Sequence, residues 1–152
     1  MIADSPATQV ATFHLNAPLA RVFRMFTVLG EREWAQGWEP VLLSGSEDRG
    51  TAFRTRSHAD QEVIWIVSDF QPSKGVVSYA RVVQGSNVGL VDVSCAHSHG
   101  GTDVTVRYTL TALSADAKAS VDKFLDPGQF AQMIEEWRSA TAAALDRSGP
   151  SR

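Results

Sequence analysis

Asp126-Pro127-Gly128-Gln129-Phe130-Ala131-Gln132-Met133-Ile134-Glu135-Glu136-Trp137-Arg138-Ser139-Ala140-Thr141-Ala142-Ala143-Ala144-Leu145-Asp146 reads as one long helix. Asp126 supplies an N-cap, Pro127 a first-turn proline, and Gln129 stands where a capping box needs it. From Pro127 to Asp146 the helix has about twenty residues, hence roughly 30 Å of length. Phe130, Met133, Ile134, Trp137, Thr141, Ala144 and Leu145 fall on one stripe, so one side of this helix must be covered.

The covering surface lies upstream. In the stretch 103–112, Val104, Val106, Tyr108 and Leu110 alternate with Asp103, Thr105, Arg107 and Thr109, the period of a strand with one dry and one wet face. Val91, Val93 and Cys95 alternate with Asp92 and Ser94, and Phe53 and Thr55 with Arg54 and Arg56. From Val41 onward, short runs rich in β-branched and aromatic residues are separated by turns about every ten residues, which predicts strands near 41–45, 50–58, 62–70, 75–84, 87–97 and 103–112. The turns read Gly45-Ser46-Glu47-Asp48, Ala59-Asp60-Gln61, Pro72-Ser73-Lys74, Gly85-Ser86 and His99-Gly100-Gly101, short connections that favour antiparallel neighbours. Ser114 is placed to cap a short helix running through Phe124.

At the other end, Thr8 to Leu15 reads as a first strand, and Asn16-Ala17-Pro18 opens a helix. Leu19, Val22, Phe23 and Phe26 then follow at helical spacing, predicting about three turns up to Gly30. Glu31 to Gly37 reads as a second short helix. No repeat or low-complexity tract divides the 152 residues, and 148–152 is the only tail-like piece, so one domain with an ordered core of about 8–147 is expected.

Composition narrows the function classes. Apolar residues at 43% and charged residues at 20% are those of a globular chain. Seventeen acids against fourteen bases give a net charge of −3, which leaves no positive field for nucleic acid or an anionic membrane surface. No apolar run is long enough for a membrane span. Met1 to Gln9 lacks the pattern of a secretory signal, and a cytoplasmic location is expected. The lone Cys95 reads as a small buried hydrophobe. Glycine-rich phosphate loops, Cys-x-x-Cys, His-Glu-x-x-His and Gly-x-Ser-x-Gly are all missing, which removes support from phosphoryl-transfer, zincin and serine-hydrolase chemistry.

Strand, two helices, six antiparallel strands and a long terminal helix is the order of the helix-grip fold. The chain resembles the START/SRPBCC superfamily, which includes the birch-pollen allergen family, START lipid-transfer domains, polyketide cyclases and aromatases, and coenzyme-Q-binding proteins. The segments that carry the resemblance are Leu15-Asn16-Ala17-Pro18-Leu19-Ala20-Arg21-Val22-Phe23 and Gly30-Glu31-Arg32-Glu33-Trp34-Ala35-Gln36-Gly37-Trp38-Glu39-Pro40. The second is similar to a Trp-containing segment of a largely uncharacterised bacterial branch, as are Asp69-Phe70-Gln71-Pro72 and Met133-Ile134-Glu135-Glu136-Trp137. The resemblance covers the chain from about Val10 to Leu145. It implies an α+β fold, a curved seven-stranded antiparallel sheet with two short helices after the first strand, wrapped around the long C-terminal helix. It also implies a cavity between sheet and helix for a hydrophobic or amphipathic small molecule. These motifs are structural, so no catalytic residue carries over.

On that footing the candidate ligand-binding residues are Trp34, Trp38, Phe53, Trp65, Tyr79, Arg81, Val93, Tyr108, Met133 and Trp137. Trp34 and Trp38, four apart, stack on one side of a helix, either as an aromatic lip at the cavity mouth or as a plug beneath the second helix. The other aromatic positions and Met133 serve equally as cavity walls or as ordinary core. Trp65 is ambiguous in particular, because Val63 to Phe70 is apolar on both faces. Tyr79 and Arg81 share a strand face. If it is inward they offer a hydroxyl and a guanidinium to a ligand carboxylate or enolate; if Val76, Ser78, Ala80 and Val82 are inward instead, Arg81 is a solvated charge.

Glu31, Glu33 and Glu39 read as solvated helix charge, with a general base near the entrance as the alternative. His97 and His99 read as exposed turn residues rather than metal ligands, since no third ligand is near in sequence and neither His14 nor His58 can be placed beside them. No metal or cofactor is expected. The leading function is binding of a lipid, polyketide or aromatic-like molecule by a monomer or homodimer. A cyclase- or dehydratase-type enzyme using the same cavity is the alternative, and a module resembling the chaperone-activator branch, acting from its outer surface, is the third class.

Overall fold

The computed structural model describes residues 5–57 and 60–148. His58, Ala59 and the tail after Ser148 lie outside the described residues. The elements run β1 (Ala7–Leu15), α1 (Leu19–Arg24), a 3-10 turn (Gly30–Glu33), β2 (Val41–Ser44), β3 (Ala52–Arg56), β4 (Glu62–Gln71), a 3-10 turn (Pro72–Lys74), β5 (Val76–Val83), β6 (Asn87–Ser98), β7 (Gly101–Ala112), α2 (Ala115–Phe124) and α3 (Pro127–Arg147). The strands form one seven-stranded sheet in the order β1-β7-β6-β5-β4-β3-β2, with every neighbouring pair antiparallel. β1 and β2 lie at opposite edges. The chain between them, carrying α1, therefore has to cross the dry face.

The alternation in β7 sets that face. Val104, Val106, Tyr108 and Leu110 are buried, and they are joined by Val91, Val93 and Cys95 of β6 and Val77, Tyr79 and Val83 of β5. In β4, where sequence alone leaves the facing open, Val63, Trp65 and Val67 point inward while Ile64 and Ile66 are exposed on the outside. A register shift between Val67 and Asp69 then breaks the alternation. Strand β3 is shorter than expected and β7 begins two residues earlier.

Helix α3 covers the dry face along the stripe read from sequence, with Phe130, Ile134, Thr141 and Ala144 buried. The buried Thr141 hydroxyl donates to Trp137 O at 2.7 Å, so no polar atom is stranded there. Among the strands, α3 packs most closely along β1, which keeps its backbone away from the middle of the sheet. Asp126 caps the helix by accepting from the amides of Gly128 (3.1 Å) and Gln129 (3.2 Å). Asp126→Ala is expected to cost about 1–2 kcal/mol, read as a lowered denaturation midpoint at unchanged slope.

The first crossing segment differs from its sequence reading. The expected three-turn helix stops at Arg24, and the second helix is reduced to the 3-10 turn Gly30–Glu33. Met25, Phe26 and Val28 are all at most 1% exposed. These positions point in different directions on a helix, so the chain unwinds to bury all three. Thr27 holds the unwound turn by donating to Arg24 O (2.8 Å) and accepting from Gly30 N (3.1 Å). Gly30 is required here, because a Cβ would lie 1.7 Å from the Arg24 carbonyl oxygen.

Candidate functional site

Unwinding frees main-chain carbonyls inside the protein, and these must be paired. Three aromatic side chains supply the donors. Trp34 Nε1 donates to Met25 O (2.6 Å), Tyr79 Oη to Phe26 O (2.6 Å) and Trp38 Nε1 to Val28 O (2.8 Å). Trp34 and Trp38 are thereby fixed by main-chain bonds and not by a shared helix face.

These rings are part of the wall of a cavity of about 630 Å³ between the sheet and the helices, within the roughly 300–1,000 Å³ usual for small-molecule sites. Nine of the ten candidate residues line it: Trp34, Trp38, Trp65, Tyr79, Arg81, Val93, Tyr108, Met133 and Trp137. All four tryptophans of the chain are among them. Their rings meet in two pairs: the Trp34 and Trp137 centroids lie 5.3 Å apart and those of Trp38 and Trp65 5.6 Å apart, both edge-on. Phe53 is absent from the lining. It sits behind the wall, stacked on Trp65 with centroids 5.8 Å apart and planes 2° from parallel. A second hollow of about 480 Å³, beside α1 and lined by Phe23, Arg24, Glu47 and Phe70 among others, is more open to the exterior.

The polar groups in the main cavity are few. Arg81 faces inward, which settles the facing of β5 and removes the reading of a solvated charge. Its guanidinium carbon is 5.3 Å from the Trp65 ring centroid, a cation–π contact. Its Nε is buried without a hydrogen-bond partner, and no carboxylate lies within 4 Å among the described residues. Burial pushes its pKa down, while the neighbouring Tyr108 hydroxyl acts the other way. Tyr108 itself is pushed up to about 12 by burial, with Arg81 pulling down and Glu31 pushing up. Tyr79, expected to offer its hydroxyl to a ligand, donates that hydrogen bond to Phe26 O instead; burial, then Glu31 and Glu47, hold its pKa well above the usual range. Trp65 is likewise satisfied through Thr55 Oγ1 (2.9 Å).

Glu31 is the group that sequence reasoning placed in solvent. It is half-buried and lines the cavity, and burial raises the pKa of its carboxyl well above the carboxylate range. Glu33 matches its surface reading, bonded to Arg21 on the outside, and Glu39 is exposed. Cys95 is buried with its thiol pushed up to about 12, hence unreactive. His97 and His99 are exposed, and His14 is paired with Asp103 at 2.8 Å. Among the described residues no three potential metal ligands come together, and no helix is long and apolar enough to cross a membrane.

No family model matches the chain, and no curated protein matches it in sequence. Solved structures do. A protein from Rhizobium leguminosarum is similar at TM-score 0.66 and 22% identity, over 93% of this chain and 95% of its own. Major latex-like protein 151 from Panax ginseng is similar at TM-score 0.69 and 9% identity, over 92% and 97%. DynU16, a protein of the dynemicin biosynthetic locus, is similar at TM-score 0.67 and 14% identity over 99% of this chain, which spans 50% of that protein. At such identities the likeness concerns architecture, and with the sheet order and α3 it shows that the chain has the helix-grip fold.

Proposed function

We propose that the protein binds an anionic, largely aromatic or otherwise hydrophobic small molecule in the cavity between the sheet and α3. One observation carries this reading: Arg81 is a guanidinium taken into an aromatic enclosure with an unpartnered Nε and no carboxylate beside it. A buried charge is costly until it is paired. A ligand carboxylate or enolate pairs it with charge-assisted hydrogen bonds, while the surrounding rings take the ligand's apolar body. Burying ~300 Å² of that body releases on the order of 7 kcal/mol before the cost of ordering the ligand. The lining residues named above are the proposed contacts, with Tyr79 contributing its ring and Phe53 supporting Trp65 from behind.

Because every tryptophan lines the cavity, occupancy should be visible in intrinsic fluorescence. Titration with 2-naphthoate is expected to change the tryptophan emission with saturation and to raise the melting temperature. Native mass spectrometry of freshly purified protein is expected to reveal a small acidic passenger. Unchanged emission and melting across aryl and fatty carboxylates, with no passenger, would exclude the reading. The cyclase- or dehydratase-type alternative is favoured by one observation, the cavity-facing Glu31, a group suited to moving a proton.

A further inference from the structure

Glu31 is held inward by its neighbour two residues on. The Glu33 carboxylate is engaged from outside by Arg21 and Ser148, and the Glu33 carbonyl accepts from Arg147 at 3.1 Å, tying the 3-10 turn to the end of α3. With about three residues per turn, Glu31 then lies on the side of Trp34, which lines the cavity. Among the described residues its carboxyl has no hydrogen-bond or ion-pair partner. The titratable and charged groups around the same space are Tyr79 and Arg81 from β5, Tyr108 from β7, Arg56 from β3 and Glu136 from α3. Tyr79 cannot donate to Glu31, since its hydroxyl already donates to Phe26 O. Desolvation alone accounts for the raised pKa, with no compensating cation.

A carboxyl bordering the cavity with no partner holds its proton to higher pH than a solvated one, and while protonated it is a hydrogen-bond donor available to cavity contents. We infer that Glu31 acts as a carboxylic acid that donates to a carbonyl oxygen of a ligand whose anionic end lies on Arg81, so that the preferred occupant is a hydrophobic oxo-carboxylate and not a plain fatty or aryl acid. This rests on the binding function proposed above. It deepens that function because a site built to pair a buried polar group rejects an analogue that leaves the group unpaired.

The test uses two shape-matched probes, 4-benzoylbenzoate and 4-benzylbenzoate, which differ only in a carbonyl against a methylene. Wild-type protein is expected to bind the ketone roughly 10-fold more tightly, as read from tryptophan emission. Glu31→Leu is expected to abolish the preference, and Glu31→Gln, which retains a donor, to keep it. Raising the pH through the Glu31 pKa should erase the preference in wild type and leave it in Glu31→Gln.

A second readout needs no ligand. With a folded-state pKa above the unfolded one, the folded state holds the proton more tightly, so stability falls as pH rises between the two values. Glu31→Gln should therefore melt like wild type below the ordinary carboxylate range and progressively higher than wild type above it. Equal binding of the two probes, a preference that survives Glu31→Leu, or a melting difference independent of pH would overturn the carbonyl reading while leaving acid binding intact. Failure of both probes to bind, together with unchanged emission and melting across the other aryl and fatty carboxylates and no passenger, would remove the binding function with it.

Discussion

Replacing Arg81 with methionine is expected to weaken binding of 4-benzylbenzoate by roughly 100-fold while leaving the melting temperature unchanged or higher. The two effects have one cause. In the free protein the guanidinium is largely withdrawn from water, with its Nε buried and the Trp65 ring and the Tyr108 hydroxyl beside it. An apolar side chain of similar length removes the desolvation cost and still fills the space, a replacement that is often neutral or stabilising. In the complex, the same change leaves the ligand carboxylate facing aromatic carbon, and losing one member of a buried charged pair typically costs about 2–5 kcal/mol. Arg81→Lys should fall between, since it keeps the charge but loses the planar fork. Isothermal titration and thermal melts measure both quantities. Unchanged affinity in Arg81→Met, or a marked fall in its stability, would show that the guanidinium is structural and that the anion site is elsewhere.

Phe53→Ala is expected to be among the most destabilising single substitutions, by about 3–5 kcal/mol, or on the order of 10 °C in a chain of this length. Phe53 has no exposed surface. Besides stacking on Trp65, it meets Trp38 and Tyr79 edge-on at 5.9 and 6.1 Å. Removing the ring opens a void behind three rings of the wall, into which Trp65 can fall, drawing its face away from Arg81. Binding should therefore weaken along with stability. Met133→Ala offers the contrast: Met133 borders space that is already open, so its truncation should cost much less stability. Denaturant unfolding of the two variants makes the comparison. Similar losses for both would mean that Phe53 and Met133 occupy equivalent positions.

The placement of Phe53 shows where sequence reasoning stops. Alternation along β3 and β7 gives the facing of each side chain, and the stripe on α3 gives the surface opposite. Those patterns, with the alternation of β6, put Val93, Tyr108, Met133 and Trp137 on facing surfaces, but they leave Trp65 open and do not measure the gap. Whether a ring borders the gap or lies one layer behind depends on where α3 rests, and it rests along β1. Arg81 is undecidable from sequence for a related reason: both faces of β5 carry apolar residues, and on the outer face Val82 is exposed while Val76 and Ala80 are half-buried.

The segment from Met25 to Glu33 was misread because helical spacing of Leu19, Val22, Phe23 and Phe26 ignores Met25 and Val28, which also need burial. Three apolar residues among four consecutive positions contradict a one-sided helix. The inward turn of Glu31 had a signal too, the three-residue spacing to Trp34, but it has meaning only for a 3-10 turn, which the sequence does not announce.

Met25, Phe26 and Val28 give the pocket a frame independent of its furnishing. The indoles of Trp34 and Trp38 and the phenol of Tyr79 are pinned to peptide oxygens, and a peptide oxygen is present whatever residue occupies its position. Drift at Val91, Val93 or Met133 can thus reshape the interior, and so exchange one guest molecule for another, while the frame keeps its outline.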